Sequence, residues 1–111
     1  MIVNLISSIL LENLCLIRNG EYSKIIMHPE CSLNATTIEE LIQSTIGQKK
    51  IDIQPDVLSF EYYDYKNQSE YLGRLEYDII HKNKKSDLTL IFDVKSNGDK
   101  IVLELYDLRV M

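Results

Sequence analysis

Val3, Ile6, Leu10, Leu14 and Ile17 recur at helical spacing, and Ile2, Leu5 and Ile9 widen the stripe. This pattern predicts a first helix that is apolar over more than half its circumference and sandwiched between other elements. Arg18 complements the dipole at its C-terminal end, and Asn19-Gly20 stops it. A second helix is predicted from Thr36 or Thr37. Thr36 with Glu39, and Thr37 with Glu40, each have the capping-box spacing that satisfies orphaned backbone donors. Ile38, Leu41, Ile42 and Ile46 form its buried face, and Gly47 ends it. Between the helices the pattern is open: residues 21–27 suit a short helix or an extended piece equally.

From Ile51 the period changes from about 3.6 to 2. Leu58, Phe60 and Tyr62 alternate with Ser59, Glu61 and Tyr63. Tyr71, Leu75, Tyr77 and Ile79 alternate with Arg74, Glu76 and Asp78. Leu88, Leu90, Phe92 and Val94 alternate with Thr89, Ile91, Asp93 and Lys95. Ile101, Leu103 and Leu105 alternate with Val102, Glu104 and Tyr106. One buried face per run is the mark of an antiparallel sheet. Short polar turns at 66–69, 82–86 and 96–99 are of hairpin length, and Asn97-Gly98 is the strongest because both residues tolerate positive φ. The phase slips near Tyr106–Asp107, which predicts a bulge. The expected fold is α+β: N-terminal helices packed on one face of a curved four-stranded antiparallel meander, as a single domain over residues 1–111.

A chain of 111 residues buries roughly two-thirds of its unfolded surface and needs no disulfide or metal to hold it together. Seventeen acidic groups against twelve Lys and Arg give a net charge of −5. That charge disfavours sequence-independent binding to phosphate backbones and steers a basic partner instead; it also serves plain solubility. Cys15 and Cys31 are too few for a disulfide scaffold. Cys15 falls in an apolar helical stretch and is expected to be buried. Residues 1–17 are interrupted by Asn4, Ser7, Ser8, Glu12 and Asn13, with no basic n-region preceding the run and no small-residue cleavage site following it. We therefore expect a core helix rather than a leader or membrane span, and a cytoplasmic protein.

Candidate chemistry is sparse. His28-Pro29-Glu30-Cys31 gathers three ligand types within four residues, but zinc wants four ligands in paired spacings, so a loop turned by Pro29 is the expectation, with no metal and no cofactor. Glu61, Asp64, Glu76 and Asp78 offer carboxylates of the kind that serve in glycoside hydrolysis, yet on the outer face of a sheet such groups are usually solvated. There is no nucleophile elbow and no Gly-rich phosphate loop, and no catalytic role is expected.

The seven tyrosines are the more unusual feature, with Tyr62, Tyr63 and Tyr65 in one run around Asp64. Residues 52–80 hold seven acidic and two basic side chains. Tyrosine gives contact area at little entropy cost, and carboxylates pair with Arg and Lys across an interface. Glu61, Tyr63, Asp64, Tyr65, Glu76 and Asp78 are the expected partner-binding residues, for a protein rather than a nucleic acid or membrane. The other use of these tyrosines is packing against a further layer or a dimer partner.

The stretch from Ser86-Asp87-Leu88-Thr89-Leu90 through Leu105-Tyr106-Asp107-Leu108-Arg109-Val110 resembles a family of small bacterial domains that place a helical half before a curved sheet, in the cystatin-like or NTF2-like manner. Arg18-Asn19-Gly20-Glu21-Tyr22 is similar to the post-helix turn of such cone-shaped folds. The likeness covers the last quarter of the chain and concerns fold. In overall character the chain also resembles the immunity proteins of bacterial contact-dependent growth inhibition, which are small, acidic, cytoplasmic and non-catalytic. That resemblance implies a cognate toxin partner, a basic nuclease. The alternatives are a small-ligand or enzymatic cone-type domain with Tyr62, Tyr77 and His81 lining a pocket, and a homodimerisation module.

Overall fold

The computed structural model describes residues 2–47, 51, 53, 58–66 and 70–110, with the backbone alone at 2 and 3. Helix α1 spans Ile2–Arg18. Ile6, Leu10, Leu14 and Ile17 are fully buried along it. Its other side is not sandwiched as expected: Leu5 is 47% exposed, because the helices form a single layer. Gly20, at φ 75°, closes α1 in a Schellman motif, with Glu21 N–H donating to Leu16 C=O and Gly20 N–H to Ile17 C=O. Residues 21–27 turn out to hold both of the conformations left open. Tyr22–Lys24 is one turn of 3₁₀ helix, and Met27 then forms a parallel bridge with Leu105.

Helix α2 spans Ala35–Ile46. It starts ahead of the predicted Thr36 or Thr37, because Asn34 is its cap: Asn34 Oδ1 accepts from Thr37 N–H at 2.9 Å and from the Thr37 hydroxyl at 3.0 Å. Gly47, at φ 80°, ends the helix.

The four strands are β1 Glu61–Asp64, β2 Tyr71–His81, β3 Lys84–Asn97 and β4 Lys100–Val110. They pair antiparallel in the order β1-β2-β3-β4, the expected meander. β1 is shorter than the run from Leu58 suggested. Lys82 and Asn83 alone join β2 to β3, both at positive φ, the mirror-image turn that matches strand twist. The turn expected at 82–86 is thus shorter, and β3 starts at Lys84. Gly98 and Asp99 join β3 to β4, with Asn97 paired to Lys100. The turn predicted at 66–69 falls largely on residues outside those described.

Leu75, Tyr77 and Ile79 of β2, Leu88, Leu90, Phe92 and Val94 of β3, and Leu103, Leu105 and Leu108 of β4 bury one sheet face against the helices. α1 lies on β4 and α2 on β3. At about 25 cal/mol per Å² of apolar surface, this layer is the main stabilising contribution. Gly73 is required where it stands. A Cβ there would come within 2.6 Å of both the Tyr62 hydroxyl and the Tyr63 carbonyl oxygen, since the Tyr62 ring lies across it. No helix among the described residues is long and apolar enough to cross a membrane.

Candidate protein-binding face

Two of the three register irregularities of the sheet shape the face turned away from the helices. Register slips by one residue at Leu72, between the pairs Tyr71↔Lys95 and Gly73↔Val94. Tyr71 therefore joins Arg74 on the outer face, not the core face that its alternation with Leu75 suggested. Register slips again between Leu105↔Phe92 and Asp107↔Ile91, leaving Tyr106 as the extra residue. This is the bulge expected near Asp107, and it aims Tyr106 across the outer face.

His28 completes the cluster from a distant part of the chain. Its backbone N–H donates to Leu105 C=O at 2.9 Å, tying the loop to the edge of β4. Pro29 occupies the second position of a turn closed by Cys31 N–H donating to His28 C=O. The imidazole lies between Tyr71 and Tyr106, with ring centroids 5.2 and 5.0 Å away. Glu30 N–H donates to Nδ1 at 3.0 Å, and Nε2 lies 3.4 Å from Asp93 Oδ2. The ring is thus engaged within the fold, and among the described residues no three metal-ligating side chains come together.

Asp93 is 4% exposed and anchors the middle of the face. The Tyr65 hydroxyl donates to its Oδ1 at 2.6 Å, and Arg74 Nε is 3.9 Å away. The Arg74 guanidinium lies over the Tyr106 ring at 5.1 Å. Alongside, the Tyr71 hydroxyl donates to Glu104 Oε1 at 2.8 Å. Lys95 Nζ is 3.7 Å from Glu104 Oε2 and 5.7 Å from the Tyr71 ring centre. The hydrogen bond to the Glu104 carboxylate, with burial, pushes the Tyr71 phenol up to about 12. Burial, then the bond to Asp93, raises that of Tyr65. The centre of the face is therefore a buried, largely satisfied polar network that holds its side chains in place.

The six residues expected to bind a partner divide around this network. Glu61, Tyr63, Tyr65, Glu76 and Asp78 share the outer face. Asp64 does not: it pairs in register with Gly73, which puts it on the helix-side face beside Tyr62. Tyr65 is spent on Asp93. Asp78 accepts from the Thr89 hydroxyl at 2.6 Å and lies 3.9 Å from Lys85. Glu76 has Arg109 at 4.0 Å. The free surface is the β1–β2 end, where Tyr63 is 49% exposed and its hydroxyl donates to Glu61 at 3.3 Å. The Glu61 charge raises the Tyr63 phenol. Glu61 stands directly opposite Glu76 across the strand pair.

The helix side offers a cleft of about 220 Å³ between α1 and β4, lined by Ile9, Leu16, Ile26, Ile101 and Leu103 among others. Tyr62, Tyr77 and His81 do not line it, and Tyr77 is buried in the core. Sequence reasoning already turned Asp93, Lys95, Glu104 and Tyr106 outward. It missed their burial and their partners His28 and Tyr71, because a loop crossing and a bulge leave no periodic signal. No family model, no curated protein sequence and no solved structure matches the chain.

Proposed function

We propose that the chain is a non-catalytic immunity protein that binds and neutralises a cognate toxin domain with a basic surface, a nuclease, in the bacterial cytoplasm. The observation that carries this reading is the Glu61–Glu76 pair. Like charges directly opposite on neighbouring strands destabilise a sheet; Arg109, 4.0 Å from Glu76, offsets part of the repulsion, and a partner's guanidinium or ammonium beside Glu61 would relieve the rest. Tyr63 stands exposed beside the pair as a rigid amphipathic contact. The locked network around Asp93 keeps the surface preorganised, which lowers the entropy lost on binding. A ligand-binding role gains less support, since the cleft of about 220 Å³ falls short of the ~300–1,000 Å³ usual for small-molecule pockets.

The test begins with the reading frame next to the gene. Expressed alone, a toxin encoded there should arrest growth, and this chain should restore it. The triple reversal Glu61→Lys, Glu76→Lys and Asp78→Lys should abolish protection, whereas Asp64→Lys, on the other face, should keep it. Protection that survives the triple reversal, or a toxin-free neighbourhood, overturns the reading.

A further inference from the structure

The chain holds two Asn-Gly pairs, Asn19-Gly20 and Asn97-Gly98, and both are exposed. Asparagine is a thermolabile residue, and most so before glycine, where no Cβ shields the backbone nitrogen that attacks its side chain. The fold treats the two pairs differently. Asn19 and Gly20 close α1: Asn19 N–H donates to Cys15 C=O and Gly20 N–H to Ile17 C=O, each at 3.0 Å. The Gly20 nitrogen is thereby held by the helix end. Gly98, at φ 64°, opens the two-residue turn between β3 and β4. Asn97 before it is the last residue of β3 and pairs with Lys100. Among the described residues no hydrogen bond engages the Asn97 carboxamide or the Gly98 N–H.

We infer that Asn97 is a modification site, at which the turn deamidates spontaneously through a succinimide to aspartate and isoaspartate. The Gly98 nitrogen attacks Asn97 Cγ. The N–Cγ bond forms, the Cγ–Nδ2 bond breaks, and ammonia leaves with the proton of the Gly98 N–H. Water then opens the five-membered imide. Opening at the side-chain carbonyl gives aspartate, and opening at the main-chain carbonyl gives isoaspartate. Water is the sole co-reactant. Each event adds one negative charge to the net −5 of the chain. Isoaspartate also adds a carbon to the backbone before Gly98, which breaks the register of residue 97 with Lys100 and frays that end of the hairpin. Gly20 must first release Ile17 before it can react. Conversion at Asn97 should therefore be faster than at Asn19, on the order of fivefold or more. This modification is independent of the immunity reading.

The test ages the folded full chain at mildly alkaline pH and follows its tryptic peptides by mass. Ser96–Lys100 and Asn19–Lys24 report the two pairs separately. Ser96–Lys100 should gain the mass of deamidation first, and a methyltransferase specific for isoaspartate should label it. In urea the helix end no longer holds Gly20, and the two rates should converge. Asn97→Gln keeps an amide but requires a larger ring, so it should abolish the fast conversion with circular dichroism unchanged. Equal rates in the folded chain, or a faster Asn19, overturn the inference. So does a Ser96–Lys100 peptide that stays intact when folded while the unfolded chain converts, since the turn then protects Asn97. Undiminished methyl labelling of Asn97→Gln places the reaction elsewhere and also overturns it. A ratio that urea leaves unchanged overturns the part assigned to the Gly20 hydrogen bond.

Discussion

The Tyr65 hydroxyl donates a 2.6 Å hydrogen bond to Asp93, from just beyond β1 to the middle of β3. His28 approaches the same carboxylate at 3.4 Å, so Asp93 joins a loop, the end of β1 and the sheet centre. Asp93→Ala removes the acceptor of the Tyr65 hydroxyl and the carboxylate beside His28 and Arg74, and should lower stability by about 3 kcal/mol. Tyr65→Phe leaves His28 and Arg74 beside the carboxylate and should cost about 1 kcal/mol. Urea unfolding of the two variants checks the ranking; equal losses would mean that Asp93 does not gather the cluster.

Helix α2 offers a clean test of its own start. Asn34→Ala removes the acceptor for both Thr37 N–H and the Thr37 hydroxyl and should cost about 1 kcal/mol. Thr36 is exposed and one residue inside the helix, so Thr36→Ala should change stability by no more than about 0.5 kcal/mol. The reverse order in thermal melts would return the cap to Thr36.

That helix shows where the sequence was legible and where it was not. Periodicity located both helices, all four strands and the outward run of Asp93 and Lys95, because burial of one face imposes a period. The cap was misplaced because Asn34, Thr36 and Thr37 all suit an N-terminus, and only the backbone course selects among them. Tyr71 was assigned to the core because the bulge at Leu72 shifts the phase between it and Leu75. His28 could not be tied to Asp93 at all. Its position follows from the docking of residues 26–28 on Leu105, a tertiary contact without a local signature.

Gly73→Ala should be among the most damaging single-methyl changes in the chain. The added carbon meets backbone as well as the Tyr62 ring, both under 3.0 Å, so a side-chain rotation cannot clear it. Forced displacement of this kind costs about 1–3 kcal/mol. Because the Tyr63 carbonyl remains in the way, Tyr62→Leu in the same chain should recover only part of the loss. Full recovery in denaturant melts would show that the ring alone sets the requirement.

Alkaline stability follows from the phenols. Tyr71 is raised from 10.0 to about 12 by its bond to Glu104 and by burial. Burial first, then the Asp93 bond, raises Tyr65, and burial with the Asp78 charge raises Tyr77. A folded-state value above the unfolded one means that the folded chain holds more protons in this range, so stability falls as pH rises. The contribution is complete below pH 10 and is lost progressively between about 10 and 12. Unfolding midpoints across that window should drop, and Tyr71→Phe should flatten the drop. Tyrosinate absorbance of the wild type should include a late phase that Tyr71→Phe diminishes; an unchanged titration curve would sink the assignment.

If a cationic partner uses the Glu61–Glu76 pair, stability and binding should move in opposite directions. Glu61→Gln keeps an acceptor for the Tyr63 hydroxyl and relieves the repulsion across the strands. Stability should rise by about 0.2–0.5 kcal/mol. If a cationic partner uses the pair, the same change should weaken binding on the order of tenfold. The wild-type affinity should fall with added salt, and the variant's should fall less steeply. Calorimetric titration at two salt concentrations, beside urea unfolding of the free proteins, separates the effects. A variant that is more stable and binds as well as the wild type would leave Glu61 outside the interface. A variant that loses both stability and affinity would mean that Glu61 acts through the fold.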